Sequence, residues 1–188
     1  ELTPTMITRL TQSITESERM ELFRLRAGRL EEGELCAVDS TSRSAYGDSL
    51  ADIKWGRNKD RLPLEQTLEV VVYSLDSHMP IYYRTFPGNI PDSRSVETIL
   101  TDLNHAGFPK VILITDRGYE SLANLERYIL RKQPMIMFVK VHQRLVMEKI
   151  LELGPFAGRP DGMRIDAGTR IYHKQYEMAY DVSGKGGA

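Results

Sequence analysis

The sequence predicts an α/β protein in which helices pack on a mixed β-sheet. Three observations predict it. Runs of β-branched and aromatic residues alternate with helical patterns, two of these runs form a hairpin, and helices separate the later runs. A hairpin followed by βαβ units places antiparallel and parallel strands in one sheet. We expect an N-terminal helical segment over 1–33, an α/β core over 34–142 and a partial β-rich segment over 143–188.

The N-terminal segment contains a helix whose start is marked by a capping box. Thr15 and Glu18 have the spacing in which each side chain bonds the other residue's backbone N–H. Gly33 is predicted to close this segment. The apolar residues of the predicted buried face share a helical spacing: Met20, Phe23, Ala27 and Leu30.

The core elements follow in the order strand, hairpin, helix, strand, helix, strand. Turn residues at 76–77 join the two arms of the hairpin, and Asp92 or Ser93 is predicted to cap the first core helix. The predicted ranges are a strand over 35–38, a polar loop over 42–64, the hairpin over 67–86, a helix over 92–106, a strand over 111–114, a helix from 122 to Pro134 and a strand over 135–141.

Two carboxylates each follow an apolar strand directly. Asp39 comes after the first strand, and Asp116 comes after the fourth. Ligands of mixed α/β sheets bind at the carboxyl ends of strands, and a carboxylate pair suits Mg²⁺ or Mn²⁺. The alternative is structural: Asp39 starts a turn with Ser40 or Thr41, and Asp116 caps the helix near Glu120. Local pattern alone favours the structural reading.

The overall charge gives no evidence for a nucleic-acid or membrane partner. Lys plus Arg number 25 against 26 Asp plus Glu, so a basic partner site must be a local patch. The candidate patch surrounds Trp55 in the polar loop. It could bind DNA phosphate with Trp55 stacked on a base, or be a solvated loop with Trp55 packed on the core. Its members are Lys54, Arg57, Lys59 and Arg61.

Three further features bound the function. Arg117 could approach phosphate or pair with a nearby acid. The single Cys36 excludes an intramolecular disulfide, which fits a reducing compartment. No apolar run approaches the roughly 18 residues that a membrane span needs.

Four motifs occur in order along the predicted core. They are Asp39-Ser-Thr, a Gly-x-Asn-Lys-Asp stretch that leads to Gln66, a Gly-Asn pair with Asp92 three residues after Asn89, and Thr-Asp-Arg-Gly-Tyr around Asp116. Together, over about residues 35 to 140, they resemble the insertion-sequence transposases that carry an Asp-Asp-Glu triad on a ribonuclease-H-like fold. The resemblance implies a ribonuclease-H-like mixed sheet flanked by helices, with the β-rich C-terminal segment as the start of an insertion.

The resemblance also implies a catalytic role for the two aspartates. Asp39 and Asp116 would be the first two acids of the triad and would hold two Mg²⁺ or Mn²⁺ ions for phosphoryl transfer. The third acid, a glutamate, is not found in its usual pattern. Tyr128 and Arg131 have the right spacing, but Met135 stands where the glutamate is expected, and Glu177 lacks the pattern. We therefore expect an incomplete triad.

The expected function is that of a catalytic core fragment of a DNA transposase, which cuts and joins DNA ends. Its implied partners are transposon ends and target DNA, with a homodimer allowed for the full-length protein, no membrane, and a place in the bacterial cytoplasm at the nucleoid. Two alternatives stay open. One is a metal-dependent nuclease on the same fold, and the other is a truncated transposase remnant that binds DNA without chemistry.

Overall fold

The computed structural model describes residues 3–46, 52–56, 63–139, 147–148, 151, 162–166 and 168–173. The chain divides into two compact units, Glu1–Phe138 and Val139–Ala188. In the second unit, the antiparallel strands β6 (Gly162–Asp166) and β7 (Thr169–His173) form a two-stranded sheet. The first unit contains the candidate site.

The first unit is built on one five-stranded mixed sheet. Its strands lie in the order β3-β2-β1-β4-β5, so β1 is central. β1 pairs antiparallel with β2 and parallel with β4, and β5 is parallel to β4. The strands are β1 (Leu35–Ser44), β2 (Gln66–Ser74), β3 (Met79–Pro87), β4 (Ile112–Thr115) and β5 (Met135–Met137). The predicted α/β fold class is confirmed, and the sheet is consistent with the ribonuclease-H-like fold.

The described part of the first unit contains four helices: α1 (Pro4–Ser13), α2 (Glu16–Ala27), α3 (Asp92–His105) and α4 (Leu122–Leu130). α2 starts with the predicted capping box of Thr15 and Glu18. α1 was not predicted, although Thr3 accepts a bond from the Met6 N–H and Pro4 begins the helix. None of the described helices is long and apolar enough to cross a membrane.

The core forms between the sheet and the helices. Every second residue of β2 is buried, which is the period of a strand with one covered face. α3 contributes residues at helical spacing, and Phe23 of α2 packs its ring 4.9 Å from that of Tyr82. The buried apolar residues of β2 and α3 are Leu68, Val70, Val72, Val96, Ile99, Leu100 and Leu103. This packing holds β1 firmly in the middle of the sheet.

β1 is longer than the sequence predicts. The predicted strand ends at Val38, whereas the observed one continues through Asp39 to Ser44 because β2 pairs with it as far as Gln66. Ser40 and Ser42 are buried within it. Small polar side chains fit a central strand when hydrogen bonds satisfy them. Asp39 therefore sits within a strand rather than beyond its end.

Other predicted ends also need correction: α2 ends at Ala27 rather than near Gly33, and α4 ends at Leu130 rather than at Pro134. β5 stops at Met137 instead of continuing to 141, and Phe138 and Val139 are not in a strand. The N-cap of α3 is Pro91, and no side chain caps that helix, so the capping role predicted for Asp92 or Ser93 is wrong. The Asp92 carboxylate instead accepts a hydrogen bond from β1.

Candidate active site

The two predicted aspartates follow the same register position on neighbouring parallel strands. Val38 of β1 pairs with Thr115 of β4, and Asp39 and Asp116 are the residues that directly follow these two in the sequence. Both are exposed. The prediction that their strands are adjacent and parallel is confirmed. The sheet thus places Asp39, within β1, and Asp116, just after β4, at neighbouring positions of two adjacent parallel strands.

Each carboxylate is oriented by a backbone N–H. The Ser40 N–H donates to Asp39 Oδ1 at 2.7 Å, and the Gly118 N–H donates to Asp116 Oδ1 at 2.8 Å. The second bond closes a turn of the kind that aspartate favours. α4 begins only at Leu122, with Ser121 as its N-cap, so the alternative role of Asp116 as a helix cap is wrong.

A third carboxylate, which sequence reasoning did not assign to the site, belongs to the same cluster. The Ser40 hydroxyl donates to Asp92 Oδ1 at 2.8 Å. A Cβ built on Gly118 would lie 3.0 Å from Asp92 Oδ2 and 3.0 Å from Asp116 Oδ1. The sequence signal was its place three residues after Asn89. We call Asp39, Asp92 and Asp116 the acidic cluster.

The acidic cluster influences a buried tyrosine. Burial raises the pKa of the Tyr119 hydroxyl most, the Ser40 side chain lowers it by less, and the negative charges of Asp92, Asp39 and Asp116 each raise it by a smaller amount. Tyr119 therefore stays protonated at neutral pH. No ion pair to any member of the cluster occurs among the described residues.

The donor set fits a hard divalent cation. Carboxylate oxygens are the ligands that Mg²⁺ prefers, and Mg²⁺ often binds through one or two carboxylates while it keeps several waters. Asp39 and Asp116 meet that requirement. Within the described ranges, no group of three or more His, Cys, Asp or Glu side chains is arranged to hold a metal ion. The two carboxylates therefore fit a partial metal site.

The residues that come nearest to the third-acid pattern have structural surroundings. Tyr128 is 3 % exposed and lies in the core. Arg131 pairs with Glu97, and so joins α4 to α3. Met135 begins β5. Glu177 lies outside the described residues.

The basic patch is described only in part. Lys54 and Arg117 are exposed, and neither makes an ion pair within the described part of the chain. Trp55 is 64 % exposed, so the alternative in which it packs on the core is wrong. The remaining members lie outside the described residues: Arg57, Lys59 and Arg61.

The base of the polar loop is fixed by a close backbone approach. A Cβ on Gly56 would lie 1.9 Å from the Gly88 carbonyl oxygen, and one on Gly88 would lie 2.0 Å from the Gln66 carbonyl oxygen. Only glycine fits at such contacts. Gln66 donates from Nε2 to the Gly88 carbonyl at 3.1 Å, and Lys54 pairs with Gln66 as an isolated β-bridge. Gln66 thus bonds the loop backbone.

A family model described as "Transposase DDE domain" matches residues 31–177. This match confirms the resemblance drawn from the four motifs. No curated protein matches the chain significantly.

Several solved structures are similar to the chain. A piggyBac transposase synaptic complex with hairpin DNA has 12 % identity and a TM-score of 0.44, over 72 % of this chain and 29 % of that one. The Mos1 transposase paired-end complex with the left transposon end has 13 % identity and a TM-score of 0.40, over 74 % and 55 %. A Drosophila P element transposase strand transfer complex has 9 % identity and a TM-score of 0.30, over 91 % and 51 %. The chain therefore spans between 29 % and 55 % of these proteins.

Proposed function

The chain belongs to the transposase DDE domain family, and on that premise we propose that it is the metal-dependent catalytic core of a DNA transposase. The proposed reaction is cleavage of DNA strands and transfer of transposon ends to a target. One observation carries the proposal: Asp39 and Asp116 directly follow Val38 and Thr115, which pair with each other on the adjacent parallel strands β1 and β4. Bare carboxylates suit this chemistry because phosphoryl transfer relies on positioning and charge neutralisation.

Asp39 and Asp116 would hold the divalent ions of the site, two Mg²⁺ or Mn²⁺ in the complete protein. When bound, such ions activate the attacking oxygen and stabilise the leaving oxygen of the phosphodiester. The chain's own residues keep the ligands in place. The backbone N–H groups of Ser40 and Gly118 hold one oxygen of each carboxylate, and fixed ligands avoid the loss that follows from a displacement of about 1 Å.

DNA is the proposed substrate, and two exposed cations are the proposed contacts. Lys54 and Arg117 are exposed, and Trp55 offers an exposed indole on a loop whose base is fixed. Aromatic side chains beside cations are typical of single-strand contacts. Arg57, Lys59 and Arg61 are proposed to extend this surface. We propose that the protein acts at the bacterial nucleoid and that the full-length protein is a homodimer.

The third metal ligand is proposed to lie in a longer parent chain, after the β-rich insertion. Met135 at the expected glutamate position supports this proposal. The same observation favours a second candidate, a transposase remnant that binds DNA without chemistry.

Plasmid nicking with Mn²⁺ tests the proposal and separates the two candidates. The chain is compared with a version extended through the following helix, and Asp116→Ala is made in both. Asp76→Ala is the matched control, because Asp76 is an exposed carboxylate in the turn between β2 and β3.

We expect nicking by the extended chain only, lost with Asp116→Ala and kept with Asp76→Ala. Nicking that survives Asp116→Ala would contradict the assigned site. An extended chain that binds DNA but does not nick it would support the remnant. Nicking by the short chain that Asp116→Ala abolishes would show that the third acid lies within these residues, with Glu177 as the first candidate.

A further inference from the structure

We propose that Asp92 is a positioning residue, which acts through Ser40 to fix the geometry of the two metal-binding carboxylates. The inference rests on the proposed function, because it concerns the same site. Asp92 lies in neither of the two strands that carry those carboxylates. It is the first residue of α3, and it reaches the site from the helical layer.

Ser40 joins the strand carboxylate to Asp92. Its backbone N–H donates to Asp39 Oδ1 at 2.7 Å, and its hydroxyl donates to Asp92 Oδ1 at 2.8 Å. Ser40 is only 7 % exposed, and its strand position opposite Val70 fixes its backbone. A buried hydroxyl that donates to a carboxylate forms a strong bond, because the acceptor is charged and water competes little. The orientation of Asp92 is therefore coupled to that of β1.

Asn124 ties the turn that carries Asp116 to the start of α3. This side chain has no exposed surface. Its Nδ2 donates to the Ser93 carbonyl at 2.8 Å and to the Tyr119 carbonyl at 2.7 Å. The turn after β4 and the first residues of α3 are thus held by one buried amide. Asp92 and Asp116 consequently stand at a fixed relative position.

Gly118 allows the two carboxylates to approach. Its missing Cβ would lie 3.0 Å from an oxygen of each, a spacing tighter than most real contacts of a Cβ. Asp92 Oδ1 is engaged by Ser40, so its other oxygen, Oδ2, is the one that faces Gly118 and Asp116. A Cβ at 118 would require one or both carboxylates to shift by a few tenths of an ångström. Glycine at this position therefore leaves room for Asp92 and Asp116 where they stand.

A residue that holds a metal ligand in place influences how tightly the metal ion binds. Asp92 acts on the metal ligands through its bond from the Ser40 hydroxyl, because Ser40 also donates its backbone N–H to Asp39. Residues that hold metal ligands in place commonly change metal affinity by about 10- to 100-fold when they are removed. Asp92 therefore differs from an acid that serves only to stabilise the fold.

The test is calorimetric titration of the full 188-residue chain with Mn²⁺. The variants are Asp92→Ala, Asp92→Asn, Ser40→Ala and the double variant Asp92→Ala/Ser40→Ala, with Asp39→Asn as the reference for the site itself. Asp92→Ala and Ser40→Ala should each weaken Mn²⁺ binding by about 10- to 100-fold. The double variant should be no weaker than either single one, because both remove the same bond. Asp92→Asn should recover most of the affinity, since its amide oxygen still accepts the Ser40 hydroxyl.

Other outcomes would overturn the inference. Parent-like affinity of Asp92→Ala would show that Asp92 does not position the site. Weak binding by Asp92→Ala together with parent-like binding by Ser40→Ala, or an Asp92→Asn variant as weak as Asp92→Ala, would make Asp92 a direct ligand instead. Equal Mn²⁺ affinity of the parent chain and Asp39→Asn would contradict the proposed function rather than this inference. Thermal unfolding without metal shows whether each variant is folded, and the nearly isosteric Asp92→Asn keeps the test decisive if an alanine variant is not.

Discussion

Two groups of interacting side chains in this molecule, each containing aspartate, differ in charge balance. In the first, which we call the paired cluster, Asp102 of α3 accepts the Tyr82 hydroxyl at 2.7 Å and pairs with Arg84 of β3. In the acidic cluster, by contrast, Asp39, Asp92 and Asp116 make no ion pair among the described residues. Each cluster lies beside a buried tyrosine whose pKa is raised mainly by burial.

The difference separates an acid that stabilises the fold from acids available for chemistry. Arg84 neutralises the charge of Asp102, and the bonds of Asp102 to Arg84 and Tyr82 join α3 to β3. The acidic cluster keeps its charge and exposes two of its three carboxylates. Uncompensated carboxylates are a cost to stability that a bound cation removes. The lack of a partner charge within a group of carboxylates, rather than the mere presence of Asp, therefore marks the candidate site.

The largest expected effect is on catalysis by the extended chain. Asp116→Ala and Asp39→Ala should each lower Mn²⁺-dependent plasmid nicking by at least about a hundredfold, since each removes a metal ligand rather than displacing one. Asp102→Asn, in the paired cluster, should keep nicking near the parent rate for the folded fraction. A loss from Asp102→Asn as large as that from Asp116→Ala would erase the distinction between the clusters.

Stability should respond in the opposite order. Asp102→Ala leaves the Tyr82 hydroxyl without its acceptor and Arg84 with only its longer contact to Glu16 at 3.8 Å, so it should lower the free energy of unfolding by about 2 kcal/mol. Asp39→Asn and Asp116→Asn should change it by less than about 0.5 kcal/mol, since they are exposed and lose only repulsion. Urea denaturation without metal measures all three. The comparison fails if Asp116→Asn destabilises the fold as much as Asp102→Ala.

A smaller effect is expected at the turn after β4. In Gly118→Ala the new methyl group crowds Asp92 and Asp116 at 3.0 Å, so Mn²⁺ affinity should fall by about tenfold. Gly107→Ala serves as a control remote in sequence, because a Cβ there meets nothing within 4 Å. Its positive φ of 74° makes it a control for metal binding alone, since strain should lower its stability. Equal Mn²⁺ affinity in the two variants would show that the carboxylates are not held close.

The smallest effect concerns DNA binding by the exposed cations. Lys54→Ala and Arg117→Ala should each reduce the salt dependence of single-stranded DNA binding by about one phosphate contact, without abolishing it. Arg9→Ala on α1 is the control, since Arg9 is an exposed cation of another element. Fluorescence anisotropy at several salt concentrations measures the slopes. Slopes that do not differ from that of Arg9→Ala would remove Lys54 and Arg117 from the interface.

The sequence predicted the frame of the site because the frame follows from periodicity. The hairpin and the strand before Asp116 have strong apolar patterns, the helix after Thr15 has a capping box, and each is observed. The pairing of the strands that carry Asp39 and Asp116 followed from the order of elements and the family's strand order. Element type and strand order are properties that local pattern and connectivity determine.

What the sequence did not reveal depends on tertiary partners. β1 continues past Val38 only because β2 supplies bonds as far as Ser44, a pairing that no local pattern shows. Asp92 resembles a helix cap in sequence, yet its carboxylate bonds Ser40, 52 residues earlier. α1 buries none of its residues, so a search for helices that face the core does not find it.

The central claim, that Asp39 and Asp116 share one cation site, is tested most directly by Mn²⁺ titration monitored by NMR. The amides of Ser40 and Gly118 donate to the two carboxylates, at 2.7 and 2.8 Å, and so report on each separately. We predict that both signals broaden together at the lowest Mn²⁺ concentrations, before that of Asp76 in the β2–β3 turn. Asp39→Asn should abolish the broadening at Gly118 as well. Broadening of Gly118 that is unchanged in Asp39→Asn would contradict the claim.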